Sequence, residues 1–213
     1  KQNYQALEDN LAFLHDTGVH LHTDLIIGLP GEDVASFGKG FDRLIRMGVE
    51  EIQVGILKRL NGAPIAMHTD KWQQIYSPQP PYEILQNSVL SFETLARLRR
   101  FARYWDIIGN SGRFQHTLKL FYSLESPFYS FLDYSDWLFE TCGRTSKISY
   151  NNMLVYLQKY WHNHHKIDII DTLIKDYQRT TGKSHTPRFL DSATKTTPSR
   201  KKKLPARQQR HVQ

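Results

Sequence analysis

The sequence predicts an α/β chain in three parts: parallel βα units over residues 1–70, a helical domain over 71–182 and a disordered basic tail over 183–213. Three observations carry this reading. Helix-like and strand-like segments alternate up to about residue 60, as right-handed βα units require. Beyond Pro78, Pro80 and Pro81 the apolar residues recur at helical spacing. From residue 183 the period vanishes, and nine Lys/Arg stand against a single acid, Asp191.

Each element follows from its residues. Over 3–16, Tyr4, Leu7, Leu11 and Leu14 lie at helical spacing, and Gly18 supplies the stop. The run VHLHTDLIIGLP (19–30) is β-rich and is ended by Gly28, Pro30 and Gly31. A helix is expected from Ala35 to Met47, closed by Gly48. EEIQVGILKRL (50–60) is a second strand; the NGAP after it continues neither a helix nor a central strand. Residues 20–28 and 51–58 are therefore expected as adjacent parallel strands. From Tyr82 to Ile108, Leu85, Val89, Phe92, Leu95, Leu98, Ala102 and Trp105 repeat at threes and fours. With Pro81 placed for the first turn and Gly109 beyond the end, this predicts one helix of about seven turns. Further helices are expected at 113–124, 128–141, 149–161 and 165–179, joined by short loops as in packed bundles. In the tail, RKKK (200–203) sits among Thr, Ser and Pro, a composition that does not offset chain entropy.

Composition bounds the function. With 39% hydrophobic and 12% aromatic residues the chain can build a real core. No run approaches the ~18 apolar residues of a membrane span, and no signal sequence stands out, so a cytoplasmic address is expected. Because the chain begins at Lys1, close to a helical pattern, a fragment lacking an N-terminal part is expected. Cys142 is the only cysteine, which excludes an internal disulfide and any cysteine-held cluster or four-cysteine zinc site built from this chain alone; it is expected as a buried thiol. The formal charge of +7 invites a nucleic-acid reading. Residues 183–213 carry +8 of it, however, and residues 1–182 are nearly neutral.

Alternation in the first strand puts His22, Asp24 and Ile26 on one face and Leu25 and Ile27 on the other. If the second face packs on helices, Asp24 points inward, where an unpartnered carboxylate is costly and needs a reason. Gly28 and Gly31 let backbone approach a ligand at the C-terminal mouth of the strands, where βα sites collect. A tight turn with Asp24 satisfied by amides explains the same residues. In the second strand Gln53, Gly55 and Leu57 share a face, so Gln53 stands beside Asp24. Gly55 either leaves room for a bound molecule or marks a bulge or close packing.

Other clusters favour plainer accounts. HNHH (162–165) falls between two expected helices and is read as solvated, since a metal site needs three or four converging ligands. His22, on the Asp24 face, is expected as a polar group near substrate rather than a metal ligand. Arg97, Arg99, Arg100, Arg103 and Arg113 read as a solvated helix face, although Arg99 and Arg103, one turn apart, are spaced to grip an anion. Phe121, Tyr122, Phe128, Tyr129, Phe131, Tyr134 and Trp137 fit helical core and interface spacing rather than a base-stacking platform.

DLIIGLPGED (24–33) followed by VGILKRLNGAPI (54–65) resembles the late barrel of radical S-adenosylmethionine (SAM) proteins. PPYEIL (80–85), FARYWD (101–106) and GNSGRF (109–114) resemble the uncharacterised helical domain at the C-terminus of many cobalamin-binding members. Together these cover about residues 1–140. The resemblance implies the last units of a partial parallel (β/α) barrel. It implies a parent enzyme that generates a 5′-deoxyadenosyl radical from SAM with a [4Fe–4S] cluster and cobalamin. In the family the strand ending in GLPGE gives apolar contacts to the adenosyl group and the next strand offers backbone to adenine. Carried over, these are Ile26, Gly28 and Leu29, then Leu57 and Lys58, with Gly62 and Pro64 shaping the loop; Asp24 and Gln53 would line the cavity. The CxxxCxxC loop and the Asp-x-His-x-x-Gly segment of the family are absent here, which implies that this chain alone is inactive. Implied partners are the missing N-terminal domains and a small-molecule or macromolecular substrate of unassigned identity, with nonspecific polyanion contact by the tail and no membrane. Two alternatives stay open: a helical nucleic-acid-binding module, and a radical SAM enzyme without cobalamin.

Overall fold

The computed structural model describes residues 4–184 and Pro187. The tail expected over 183–213 therefore falls, apart from Lys183, Ser184 and Pro187, outside the described residues. Helix α1 (Tyr4–Asp16) leads into strand β1 (His22–Ile27), helix α2 (Val34–Arg46) and strand β2 (Glu51–Ile56). The strands pair in parallel, with Asp24 opposite Gln53 and Ile26 opposite Gly55. Backbone bonds from Glu51 N to Leu21 O (3.2 Å) and from Leu57 N to Ile27 O (2.9 Å) extend the ladder at both ends. The expected βα units are present. Two strands do not close a barrel, and the parallel sheet ends with them among the described residues.

Local chemistry sets the crossover. Asp33 caps α2: its carboxylate accepts from Ser36 N at 2.7 Å, while Ser36 Oγ accepts from Asp33 N at 3.0 Å. Two orphan donors of the first turn are thereby satisfied reciprocally. Phe37 and Phe41 then point from α2 into the core.

The region after residue 71 is not all-helical. Strands β3 (Ile75–Tyr76) and β4 (Ile84–Gln86) form a short antiparallel pair, and the expected helix from Tyr82 begins only at Phe92. The backbone of 82–84 is recruited by the end of β2: Arg59 N donates to Tyr82 O at 3.0 Å and Ile84 N to Leu57 O at 2.9 Å. Asn87 then makes the turn, its Oδ1 accepting from Val89 N (2.9 Å) and Leu90 N (2.8 Å). Such a side-chain turn competes directly with helix formation. Ser91, accepting from Thr94 N at 3.2 Å, caps helix α3 (Phe92–Ile108). The helical spacing of Leu85 and Val89 was thus coincidental; Ile84 is the buried residue.

Helices α4 (Gln115–Tyr122), α5 (Pro127–Cys142), α6 (Tyr150–Tyr160) and α7 (Ile170–Thr181) follow close to their expected places. The last starts five residues late, because α6 runs into a π turn over Trp161–His165 that Lys166 ends at φ 58°. Cys142 is half-buried rather than buried.

One hydrophobic cluster runs through both halves. Phe41 of α2 meets Trp105 of α3 edge-on at 4.7 Å, and Phe101 meets Phe128 of α5 at 5.0 Å. Phe121, Phe131 and Tyr134 continue it toward α6. Edge-to-face aromatic pairs of this kind add specificity to burial. Two buried aspartates pin helices to it. Asp42 accepts from Ser126 Oγ (2.6 Å) and Phe128 N (2.7 Å) at the start of α5. Asp176 accepts from His116 N, Thr117 N and Thr117 Oγ1 (2.7–3.0 Å) at the start of α4. Among the described residues no helix is long and apolar enough to cross a membrane.

Candidate functional site on the open face of the parallel sheet

The two faces of the sheet differ sharply. Ile27 and Ile52 are 1% exposed and belong to the core, whereas Asp24, Ile26 and Gln53 are exposed on the opposite side. Because paired residues of parallel strands point the same way, Asp24 and Gln53 stand side by side there. The Asp24 carboxylate is not the buried acid that the alternation implied. Its side chain is 69% exposed, 3.6 Å from His22 Nε2, because no element covers this face among the described residues. Exposed to this degree, Asp24 carries no desolvation cost in this chain, and its position on the sheet is what remains.

Asp24, Ile26, Gln53, Leu57 and Lys58, five of the eight expected site residues, line one shallow depression of about 340 Å³. Gly55 lines it too, and nothing packs on it: a Cβ there would meet only Leu25 O, at 3.8 Å. Neither a bulge nor close packing accounts for this glycine, since the register runs unbroken on both sides.

The other three expected residues lie elsewhere. Gly28 adopts φ 97°, and a Cβ would meet Ile84 Cγ2 at 2.7 Å, so its space is taken by β4. Its carbonyl accepts from Asn87 Nδ2 at 3.3 Å. Leu29 is half-buried against the core. Gly62 belongs to a neighbouring depression of about 650 Å³.

Charges around the site are mostly paired. Arg99 donates to Ile84 O and lies 3.3 Å from Glu83. Arg97 bonds Asp136 at 2.6 Å, Arg100 lies 3.7 Å from the same carboxylate, and Arg103 bonds Asp106 at 3.0 Å. Arg113 lies over the Tyr150 ring. Arg97, Arg99 and Arg100 thus tie α3 to α5 and β4 rather than forming a merely solvated face, whereas Arg103 pairs within its own helix and stays exposed. At the strand mouth, burial and then the Asp33 charge raise the Glu32 pKa, while Ser36 hydrogen bonds lower that of Asp33.

Sequence reasoning missed the residues that fasten this sheet to the helices. Asn110 accepts from Ile52 N (3.3 Å) and donates to Ile52 O (3.0 Å), pairing with the outer edge of β2 as a strand would. Trp105 Nε1 donates to the same carbonyl at 2.9 Å. Asn87 holds the end of β1. Asparagine after a helix C-terminal glycine was the available signal, but its partner is 58 residues away.

No curated protein matches this chain. Residues 70–213, more than half of it and including both asparagines, match the family described as protein of unknown function (DUF4080), and the chain belongs to that family.

Proposed function

We propose that this chain is the C-terminal part of a cobalamin-dependent radical SAM enzyme, and that the open face of β1 and β2 holds SAM. The DUF4080 domain is associated with B12-binding radical SAM proteins, which supports the parent assignment. The observation that carries the site is Gly55: a mid-strand glycine with open space above it, flanked by the Asp24–Gln53 pair at the exposed face. The residues fit the ligand. Ile26 and Leu57 give an apolar wall, Gln53 offers a donor and an acceptor, and the Asp24 carboxylate complements a sulfonium or ammonium and accepts from hydroxyls. Bound SAM would supply a carbon-centred radical once an external electron cleaves it. The part of this chain is to bind and orient.

The cluster does not fit this chain, and the Asp-x-His-x-x-Gly segment that would hold cobalamin does not occur in it. Cys142 is its only thiol, bonded to Arg144 O, and no group of three His, Cys, Asp or Glu gathers among the described residues. Their ligands would come from upstream sequence. The test is the complete protein: with its cluster reconstituted anaerobically it should convert SAM to 5′-deoxyadenosine under reduction, while residues 1–213 alone should yield none. A reconstituted complete protein without that product would refute the assignment.

The +8 net charge of residues 183–213 favours a second, additional reading as a polyanion contact. Pro187 is buried and Ser184 O accepts from Gln178 Nε2 at 2.9 Å, so the deletion that tests this begins after them: removing residues 188–213 should abolish salt-sensitive heparin binding without lowering the thermal midpoint. Retained binding would move the contact to the folded part.

A further inference from the structure

The loop after β2, the 3-10 turn at Pro64–His68, β3 and the loop around Pro78 enclose the depression of about 650 Å³. It shares only Leu60 with the sheet-face site. Among the described residues its lining carries one charged side chain, Arg59, and no acid; Asn61, Gln74, Tyr76, Ser77 and Tyr82 add hydrogen-bonding groups. Gln74 is the informative residue. It is 5% exposed, yet neither its Oε1 nor its Nε2 has a partner among the described residues, and the Tyr76 hydroxyl is likewise buried and unpaired.

A buried carboxamide with both atoms unpaired is disfavoured in a finished core, where polar groups find partners. Here the backbone holds it in place: Gln74 N donates to Thr69 O at 2.9 Å, and Gln73 before it adopts φ 49°, a conformation that side-chain-bearing residues rarely take. Strained backbone of this kind gathers at ligand clamps. Burial raises the Tyr76 pKa against the opposing charge of Arg59, so the phenol is a neutral hydroxyl and Arg59 lies within electrostatic reach of it.

We propose that this depression is a second ligand site, for a small anion that carries an amide or lactam edge. Arg59 takes the acid, and the adjacent N–H and C=O of the ligand pair with the Gln74 carboxamide beside the Tyr76 hydroxyl. Two kinds of small molecule present this chemistry: an N-acylated amino acid, and a purine monophosphate with a lactam such as guanosine 5′-monophosphate. The site does not depend on SAM binding at the sheet.

Calorimetric titration of the 213-residue chain with guanosine 5′-monophosphate, N-acetylglycine, inorganic phosphate and acetate tests it. One amide-bearing anion should bind at least about tenfold tighter than the amide-free anion with the same acid group. Which of the two wins identifies the source. Gln74→Leu, close in volume, removes an unpaired amide and should fold at least as stably while losing that tenfold preference. Arg59→Ala, at an exposed position, should weaken every anion, and Asp24→Asn should change none. Absence of the preference in the native chain, or its survival in Gln74→Leu, overturns the proposal.

Discussion

Asp42 and Asp176 are buried carboxylates whose work is structural, and they contrast with Asp24, an exposed carboxylate on a face where nothing packs among the described residues. Each buried one supplies the acceptors that a distant helix needs at its first turn. Asp176→Ala should lower unfolding free energy by about 3 kcal/mol in urea titration, since it strands three donors at the start of α4; a loss below about 1 kcal/mol would show that water replaces it. Glu32 and Asp33 respond to pH in opposite senses. Asp33, with a lowered pKa, stabilises the fold above its ordinary value of 3.8, and that contribution is lost as pH falls through its folded value. Glu32, with a raised pKa, binds its proton more tightly when folded. It therefore opposes folding above its ordinary value of 4.5, fully so once pH exceeds its folded pKa. Glu32→Gln should raise the thermal midpoint at pH 7 and leave it little changed below pH 4, measured by circular dichroism. At this scale alternation alone placed Asp24 beside Gln53 correctly. It had no means of finding Asp42 or Asp176, whose partners lie 59 to 86 residues away.

The elements were legible where the residues that decide them are neighbours. The Gly48 stop was read directly, and the starts of α2 and α6 are decided by the Asp33–Ser36 box and the Ser149 cap, each within four residues. The stretch 82–91 was misread because its fate is decided at long range. The end of β2 captures Ile84, and the Asn87 turn then moves the helix start to Ser91. Asn110 shows the same dependence, since it caps the outer edge of a strand far upstream. Asn110→Leu leaves Ile52 N and O with one fewer partner each, a loss of about 1–3 kcal/mol. Amide hydrogen exchange at Ile52 should accelerate while that at Leu25, inside the ladder, changes only with global stability. Equal acceleration at both would mean that Asn110 acts on the whole fold rather than on the edge.

At the scale of the molecule, the parallel units and the helical part share one aromatic core, in which Phe41 and Phe101 each meet both Trp105 and Phe128. The chain should therefore unfold as one unit across residue 70. Phe41→Ala should remove about 3–5 kcal/mol and keep a single transition by both near-UV and far-UV circular dichroism; two transitions would separate the halves. Helix content and βα order were readable from period, but the open sheet face was not. Alternation assigns a residue to a face without saying what covers it.

That open face is where the functional reading stands, and Gly55 is its most exposed point of failure. A Cβ there meets no described atom within 4 Å but Leu25 O, at 3.8 Å, and the depression above it leaves room for a longer side chain, so the fold should tolerate a leucine, and strands favour side chains over glycine. The decisive measurement is SAM affinity of the complete protein by equilibrium dialysis, native against Gly55→Leu, with the thermal midpoint recorded for each. The midpoint should be unchanged or higher and the affinity weakened at least about tenfold, as a side chain enters the space of the ligand. Unchanged affinity in a normally folded Gly55→Leu protein would show that SAM does not bind on this face.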